Sequence, residues 1–578
     1  MTRRRPELLG PALALAAVLA VSLGACTAPP APTPSPTPTA ASTQPCENRV
    51  GTAVPDGLGP GDVVDSLEIT PTGDASYPVG ARSWRILYVT TGVDETDLQL
   101  VCGTVTAPAA GPAVVDGRAR ILNWSHGTVG IAQDCLPSSD PAVGLWGPMP
   151  GGIGAVAWGA DLSKREGEAS DGLLQFAVDQ GWVVAAADYA PDSTYVVGKT
   201  EASAILDAAR AATQLVDSTF ADAPTKYDAV IWGHSQGGHA ALWAGQLFDS
   251  YLAATHPSGP VADLTLRGVA ALAPASNFIT QPGQPGVVAG DGLADWEMHK
   301  NIGLDLPVAA LQMQIGPALF SYIFGAWDAL ADGPAPAADA AFPAYPLTAG
   351  GVQLDAIATA EGAQTVATVK ELCLRRSSAG AVQSAVEKYG DASANPMVVP
   401  EIWNLPAGYR SGEFFRGGLD ATCAAPPTEG LATWCAWMLY NLPGPLGSNP
   451  FPKVPLSDGQ PVPLFLAQGL ADDIIHCQPA GGAGDHIPDA ANCMTRALYD
   501  SLEPLYCIDG TSSLTLHGVA AAGIGGVDSP ATHFSIPGEI AAKSIAGDEL
   551  VFEGSPLQRF FSEAFDGSVA PGCSMVVS

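Results

Sequence analysis

The chain has 578 residues, with 58 acidic side chains against 25 basic ones and a formal net charge of −33. That imbalance argues against a nucleic-acid partner and against unassisted adsorption to anionic lipid. It says nothing about a neutral substrate.

The first residues read as an export signal. Arg3, Arg4 and Arg5 form a basic start, and Leu8 to Leu23 is an apolar stretch broken by Gly10 and Pro11. Its uninterrupted apolar length is below the ~20 residues a membrane span needs. Leu23-Gly24-Ala25-Cys26 follows at once. Small residues after such a stretch mark a cleavage site, so residues 1–25 are expected to be removed. The cysteine at that point resembles the lipobox of bacterial lipoproteins. The resemblance implies a diacylglyceryl anchor on Cys26 and attachment to the outer face of the cell membrane. Residues 26–45 alternate proline with small polar residues, which makes an extended, semi-rigid spacer.

Eleven cysteines less Cys26 leaves Cys46, Cys102, Cys135, Cys373, Cys423, Cys435, Cys477, Cys493, Cys507 and Cys573. An even number in an exported chain is expected to form disulfides, here five. His476, Cys477, His486 and Cys493 lie close in sequence but lack metal-ligand spacing. Neither a metal nor an organic cofactor is expected.

From Cys46 onward the elements alternate. Ser83 to Val93 and Leu98 to Ala107 read as an antiparallel pair at a sheet edge. Ala119 to Trp124 is an apolar strand, Gly172 to Val178 a helix, and Trp182 to Ala187 a fully buried strand. Glu201 to Phe220 reads as an alanine-rich helix, Tyr227 to Trp232 as a buried strand, His239 to Phe248 as a helix and Leu264 to Leu272 as another strand. Continuous apolar strands alternating with helices predict an α/β chain, with a mostly parallel sheet covered by helices on both faces. The alternation then stops and resumes at Pro463 to Gln468 and Ser513 to Leu516, with a last helix at Pro556 to Phe565. The expected organisation is a catalytic domain of residues 46–277 and 463–578, interrupted by a mainly helical cap of residues 278–462.

Between the central strand and its helix stands Gly233-His234-Ser235-Gln236-Gly237-Gly238. Strand, G-x-S-x-G, helix is the setting of a nucleophile elbow. The small residues allow a tight turn that lifts the Ser235 hydroxyl off the sheet. A serine nucleophile needs a base and an orienting acid, which follow it in the order acid, then histidine. Asp472 and Asp473 stand on the loop after Pro463 to Gln468, where side chains reach the crevice at the strands' carboxyl ends. Asp472 is preferred. His476 and His486 sit too near that acid, His517 lies in or at the end of the last strand, and His533 lies in the following loop. His533 is preferred as base and His517 is the alternative. His234 and His239 flank the elbow but are expected to face away along strand or helix, in supporting or structural roles. The oxyanion needs two N–H donors. Gln236 supplies one. The other is assigned to Thr128, with Gly127 next, in the turn after Ala119 to Trp124, where His126 is expected to brace the loop.

Four stretches together resemble the secretory lipase family of α/β-hydrolases, the group that includes the fungal lipase with a large helical lid. They are NWSHGTVGIAQDCLPSSDP (Asn123 to Pro141), GWVVAAADYA (Gly181 to Ala190), VIWGHSQGGHAALWA (Val230 to Ala244) and LFLAQGLADDII (Leu464 to Ile475). The resemblance implies an α/β-hydrolase fold, an esterase or lipase acting on acyl esters, a triad of Ser235, Asp472 and His533, and a helical lid in the insertion. The expected protein is a monomeric, membrane-anchored extracellular serine ester hydrolase without a cofactor. Two other readings remain: an exopeptidase or acyltransferase using the same triad, and a non-catalytic surface-binding lipoprotein.

Overall fold

The computed structural model describes residues 45–69, 78–93, 97–139, 173–190, 194–258, 262–277, 319, 321–330, 352–356, 358, 360–371, 429–470, 472, 475, 477, 493–507, 512–519, 533, 536–541, 544–546, 549–551 and 554–577. Its frame is one ten-stranded sheet. In chain order the strands are β1 (Val63–Glu68), β2 (Ala81–Thr91), β3 (Leu98–Pro108), β4 (Ala119–Ser125), β5 (Val183–Ala187), β6 (Lys226–His234), β7 (Asp263–Leu272), β8 (Leu464–Gly469), β9 (Ser513–Val519) and β10 (Gly572–Val577). Their order across the sheet is β1-β2-β3-β5-β4-β6-β7-β8-β9-β10.

From β5 to β10 every neighbouring pair is parallel. The pairs β1–β2, β2–β3 and β3–β5 are antiparallel. The expected hairpin is present as β2–β3, but it is not at the sheet edge. β1 lies outside it, hydrogen-bonded to β2 from Val63 against Tyr88 to Glu68 against Trp84. β1 was hidden because it reads VVDSLE and leaves Asp65, Ser66 and Glu68 exposed, so it carries none of the apolar run that marks an inner strand.

The larger helices are α1 (Leu173–Asp179), α2 (Gly198–Thr219), α3 (Gln236–Ala254), α4 (Ala360–Val369), α5 (Glu429–Asn441), α6 (Met494–Tyr506), α7 (Ile536–Ala541) and α8 (Pro556–Asp566). Side chains alternate along β4, and this places the helices on opposite faces. Asn123 Nδ2 donates to the main-chain oxygen of Ile205 in α2. The next residue, Trp124, points the other way and meets Trp232, which meets Phe561 of α8 at 5.9 Å. β6 is buried from Tyr227 to His234, because a strand covered on both faces has no solvent side. Trp124, Trp182, Trp232 and Trp243 are fully buried, and burial of each stabilises the sandwich by about 2–3 kcal/mol. α8 has both ends written locally. Ser555 caps it by accepting from Gln558 N, Pro556 opens it, and Gly567 closes it at φ 64°.

The described parts of the expected insertion join β7 to β8, two adjacent parallel strands. They include helical residues 321–330, α4 and α5. Trp327 and Trp434 stack at 5.7 Å, and Trp437 meets Trp327 edge-on. This aromatic cluster is buried against the sheet domain: Trp327 Nε1 donates to the main-chain oxygen of Tyr195. Cys46–Cys102, Cys477–Cys493 and Cys507–Cys573 are disulfides. Cys135 and Cys435 are also disulfide-bonded. Cys26, Cys373 and Cys423 lie outside the described residues.

Candidate active site

β6 ends at His234 and α3 begins at Gln236, leaving Ser235 alone between them. Its backbone sits at φ 59° and ψ −120°, a conformation that costs a residue with a side chain of order 1–3 kcal/mol. Three hydrogen bonds hold it there. Ser235 N donates to Leu272 O, and the Ser235 oxygen accepts from His239 N and Ala275 N. The two glycines of the motif are needed for close approach. An ideal Cβ on Gly233 would stand 2.2 Å from Gly237 O, and one on Gly237 2.0 Å from Ser125 O.

The turn presents Ser235 Oγ 2.9 Å from His533 Nε2, and His533 Nδ1 lies 2.9 Å from Asp472 Oδ2. All three residues are buried, Ser235 at 7% exposure and Asp472 at 1%. Asp472 stands three residues past β8, and its carboxylate is pinned from two more sides. Ile475 N donates to Oδ1 and Gln468 Nε2 to Oδ2. Gln468 is itself held by the hydroxyl of Thr495 in the first turn of α6.

The alternatives fall elsewhere. Asp473, His476 and His486 lie outside the described residues. His517 is in mid-strand on β9, level with Ala467 of β8. Its ring packs 6.2 Å from Phe465. Burial, with a smaller push from the Arg559 charge, lowers its pKa to about 4.

The loop after β4 lies against the start of α3 through the Ser125–Gly237 contact. His126 braces it. His126 Nδ1 lies 2.6 Å from Gly127 O, Nε2 lies 3.1 Å from Asp188 O, and the ring packs against Tyr189 at 4.3 Å with the planes tilted by 34°. Burial holds His126 below the usual histidine range. Thr128 is buried, with Oγ1 2.7 Å from the Tyr195 hydroxyl. Gln236 opens α3, where the first N–H groups have no partner inside the helix. The Cys135 to Ser138 stretch also meets its counterpart here. Ser138 N and Oγ donate to the Asp188 carboxylate, and Arg85 donates to Ser138 O. Burial pushes Asp188 up to about 6, and the Ser138 hydrogen bonds only partly counter it.

Two features were not legible from sequence. Glu201 in α2 is fully buried and takes three contacts: Val196 N and Gln236 Nε2 donate to Oε1, and His239 Nδ1 lies 2.7 Å from Oε2. His239 Nε2 donates to Asn441 O at the end of α5. So one buried carboxylate ties the residue after Ser235 to α5 in the expected insertion. The second feature is His234. It does not turn away from the site but packs against His533, with ring centroids 4.6 Å apart and the planes tilted by 40°. A histidine in a strand carries no sequence mark of either arrangement. Among the described residues no group of three or more His, Cys, Asp or Glu side chains converges as a metal site.

Comparison with known proteins gives the chain's similarities. Residues 156–278, which contain β5 to β7 and the elbow, match the family model of the secretory lipases. Lipase 5 of Candida albicans is 35% identical over 98 residues, 17% of this chain and 21% of the relative. Lipase A of Moesziomyces aphidis is 28% identical over 209 residues, 35% of this chain and 40% of the relative. The matches thus span between a fifth and two fifths of the relatives' length. The structure of Candida antarctica lipase A in its closed state superposes with a TM-score of 0.51 at 17% identity, covering 93% of this chain and 91% of that one. The fold is that of the α/β-hydrolases.

Proposed function

We propose that this chain, which resembles the secretory lipases, is a serine ester hydrolase of the lipase or carboxylesterase kind. One observation carries the reading: Ser235, His533 and Asp472 form a continuous buried relay with 2.9 Å at each step. A hydroxyl, an imidazole and a carboxylate in that order are the parts of an acyl-transfer site.

In this mechanism His533 Nε2 takes the Ser235 proton as Oγ attacks the ester carbonyl. Asp472 holds the imidazole with Nε2 free to accept that proton and stabilises the imidazolium that forms. The oxyanion is received by the N–H groups of Thr128 and Gln236. His533 returns its proton to the alcohol as the C–O bond breaks, leaving an acyl-serine. A water then gives a proton to His533 as it attacks the acyl carbon, and His533 passes that proton to Ser235 Oγ as the acyl C–O bond breaks, releasing the acid and free Ser235. Every proton is accounted for by groups of the chain and water, so no cofactor is required.

The segment 278–462 is assigned as a cap over this site. Tyr322, in its helical residues 321–330, lies 5.7 Å from Tyr195, whose hydroxyl meets Thr128. Tyr195 thus stands between this segment and Thr128, which supports the cap reading. The disulfides support export, and the Leu23 to Cys26 motif supports a lipid anchor on Cys26. Mass spectrometry of the mature N-terminus tests the anchor. Cys26→Ser should move the protein from the membrane fraction to the medium, and a mature unlipidated N-terminus elsewhere contradicts it.

A fluorophosphonate probe tests the hydrolase reading. It should label Ser235, and Ser235→Ala should lose both the label and ~10³-fold or more of kcat on p-nitrophenyl esters. Retained ester hydrolysis in that variant sinks the reading. A chain-length series of the same esters then separates lipase from short-chain esterase.

A further inference from the structure

We infer that His234 is a positioning residue for the base: its Nε2–H anchors the main chain of His533, so that the imidazole meets Ser235 at reacting distance. The inference rests on the hydrolase reading and deepens it.

Four observations converge. His234 is the last residue of β6 and is fully buried, so its own backbone is fixed by the central strand. Its Nε2 lies 2.9 Å from the main-chain oxygen of His533. A carbonyl oxygen only accepts, so Nε2 carries the proton. His234 Nδ1 is buried and has no hydrogen-bond partner among the described residues, which suits a bare ring nitrogen and not a second N–H. Burial first, and the His533 charge second, hold His234 well below the usual histidine range, so the ring is a neutral Nε2–H tautomer.

The consequence concerns freedom. The Asp472 contact fixes only Nδ1 of the His533 ring. A ring held at one atom still swings when the backbone beneath it shifts. The His234 bond fixes that backbone, and the two rings, 4.6 Å apart and tilted by 40°, limit rotation. Misplacement by about an ångström at a reacting group costs ~10²-fold in rate, while ester binding uses other surfaces. Loss of the anchor should therefore lower kcat and leave KM alone. Neutral His234 also adds no charge against the imidazolium formed on His533 during turnover.

Two variants separate the hydrogen bond from the packing. His234→Phe keeps a ring and loses the donor. His234→Gln loses the ring and offers an amide N–H at about the reach of Nε2. We expect His234→Phe to lower kcat at least ~10-fold with KM within ~2-fold. We expect His234→Gln to recover most of that loss. Wild-type kcat in His234→Phe overturns the inference, and so does a His234→Gln variant as slow as His234→Phe. Should either variant fail to fold, ¹⁵N-histidine spectra of the wild-type protein decide. A neutral Nε2–H tautomer for His234 across the active pH range supports the inference, and an Nδ1–H tautomer or an imidazolium overturns it. Ser235→Ala keeps the two ideas apart. Activity in that variant removes the hydrolase reading itself, whereas an inactive Ser235→Ala beside a fully active His234→Phe removes only the role of His234.

Discussion

Gly237 and Ser125 meet backbone to backbone: a Cβ on Gly237 would stand 2.0 Å from the Ser125 oxygen and 2.7 Å from that of His126. The end of β4 and the first turn of α3 thus touch with no side chain between them. Ser125 leads straight into the loop of His126 to Thr128, so the contact also sets that loop's distance from Ser235. Neither backbone can yield cheaply. Gly237→Ala is expected to destabilise the fold by about 1–3 kcal/mol and to cut kcat ~10²-fold or more in whatever folds. Thermal unfolding and p-nitrophenyl ester kinetics check both. A stable variant at full activity means the β4 loop plays no part in catalysis.

Among the described residues Asp472 offers its carboxylate to the His533 ring, Ile475 N and Gln468 Nε2. Asp472→Asn preserves the shape but turns an N–H toward one of them and favours the wrong histidine tautomer. Because the acid orients and stabilises but exchanges no proton, its loss should cost less than loss of nucleophile or base. Ser235→Ala and His533→Ala should reach the same residual kcat, with Asp472→Asn about 10- to 100-fold above it. Equal residual rates in all three would mean that the acid does more than orient the ring.

His517 supplies a pH test with a definite sign. Its pKa in the fold is about 4, lowered by burial and by the Arg559 charge. The unfolded chain takes up the proton below about 6.5, whereas the native state refuses it until about 4. The unfolded state therefore binds more protons between those values, and stability falls as pH drops from about 6.5 to about 4. The contribution of His517 is at most about 3 kcal/mol. His517→Gln should flatten urea-unfolding stability across that window and leave ester hydrolysis at neutral pH unchanged. Loss of activity in a folded His517→Gln protein would transfer the base role from His533.

The inner sheet and the serine were legible because both are local. β4, β6 and β7 are continuous apolar runs, and Gly233 and Gly237 mark a turn that no bulkier residue can make. Asp472 and His533 were reachable by chain order and loop position. Edge strands were not: β10 opens on Gly-Cys-Ser and has only Met575 to Val577 as an apolar run, too short to mark a strand, and Met575 and Val576 stay more than two fifths exposed. α6 was missed as well, since Pro504 reads as a breaker although it falls near the helix end. Glu201 was illegible for a different reason. A charged residue every few positions is what an exposed helix face looks like, and only the packing of α2 on α3 buries it against His239.

The Cys477–Cys493 disulfide ties the acid loop to the start of α6. Cys477 N donates to the main-chain oxygen of Asp472. Cys493 is the cap residue of α6, whose Thr495 holds Gln468, which in turn holds Asp472 Oδ2. The acid is thus fixed twice, once covalently and once through side chains. Cys507–Cys573 ties the end of α6 to β10 at the sheet edge and touches no group of the relay in the contacts above. Removing either bridge frees a loop, of sequence separation 16 or 66, and each loss should cost about 2–5 kcal/mol of stability. Only one should reach the chemistry. Cys477→Ala/Cys493→Ala is expected to lower kcat ~10-fold or more with little change in KM, because the carboxylate would sample positions away from His533. Cys507→Ala/Cys573→Ala is expected to unfold more readily yet turn over at the wild-type rate while folded. Steady-state kinetics well below each variant's unfolding temperature make the comparison. Equal kcat in the two double variants would show that the Gln468 and Ile475 hydrogen bonds alone suffice to hold Asp472.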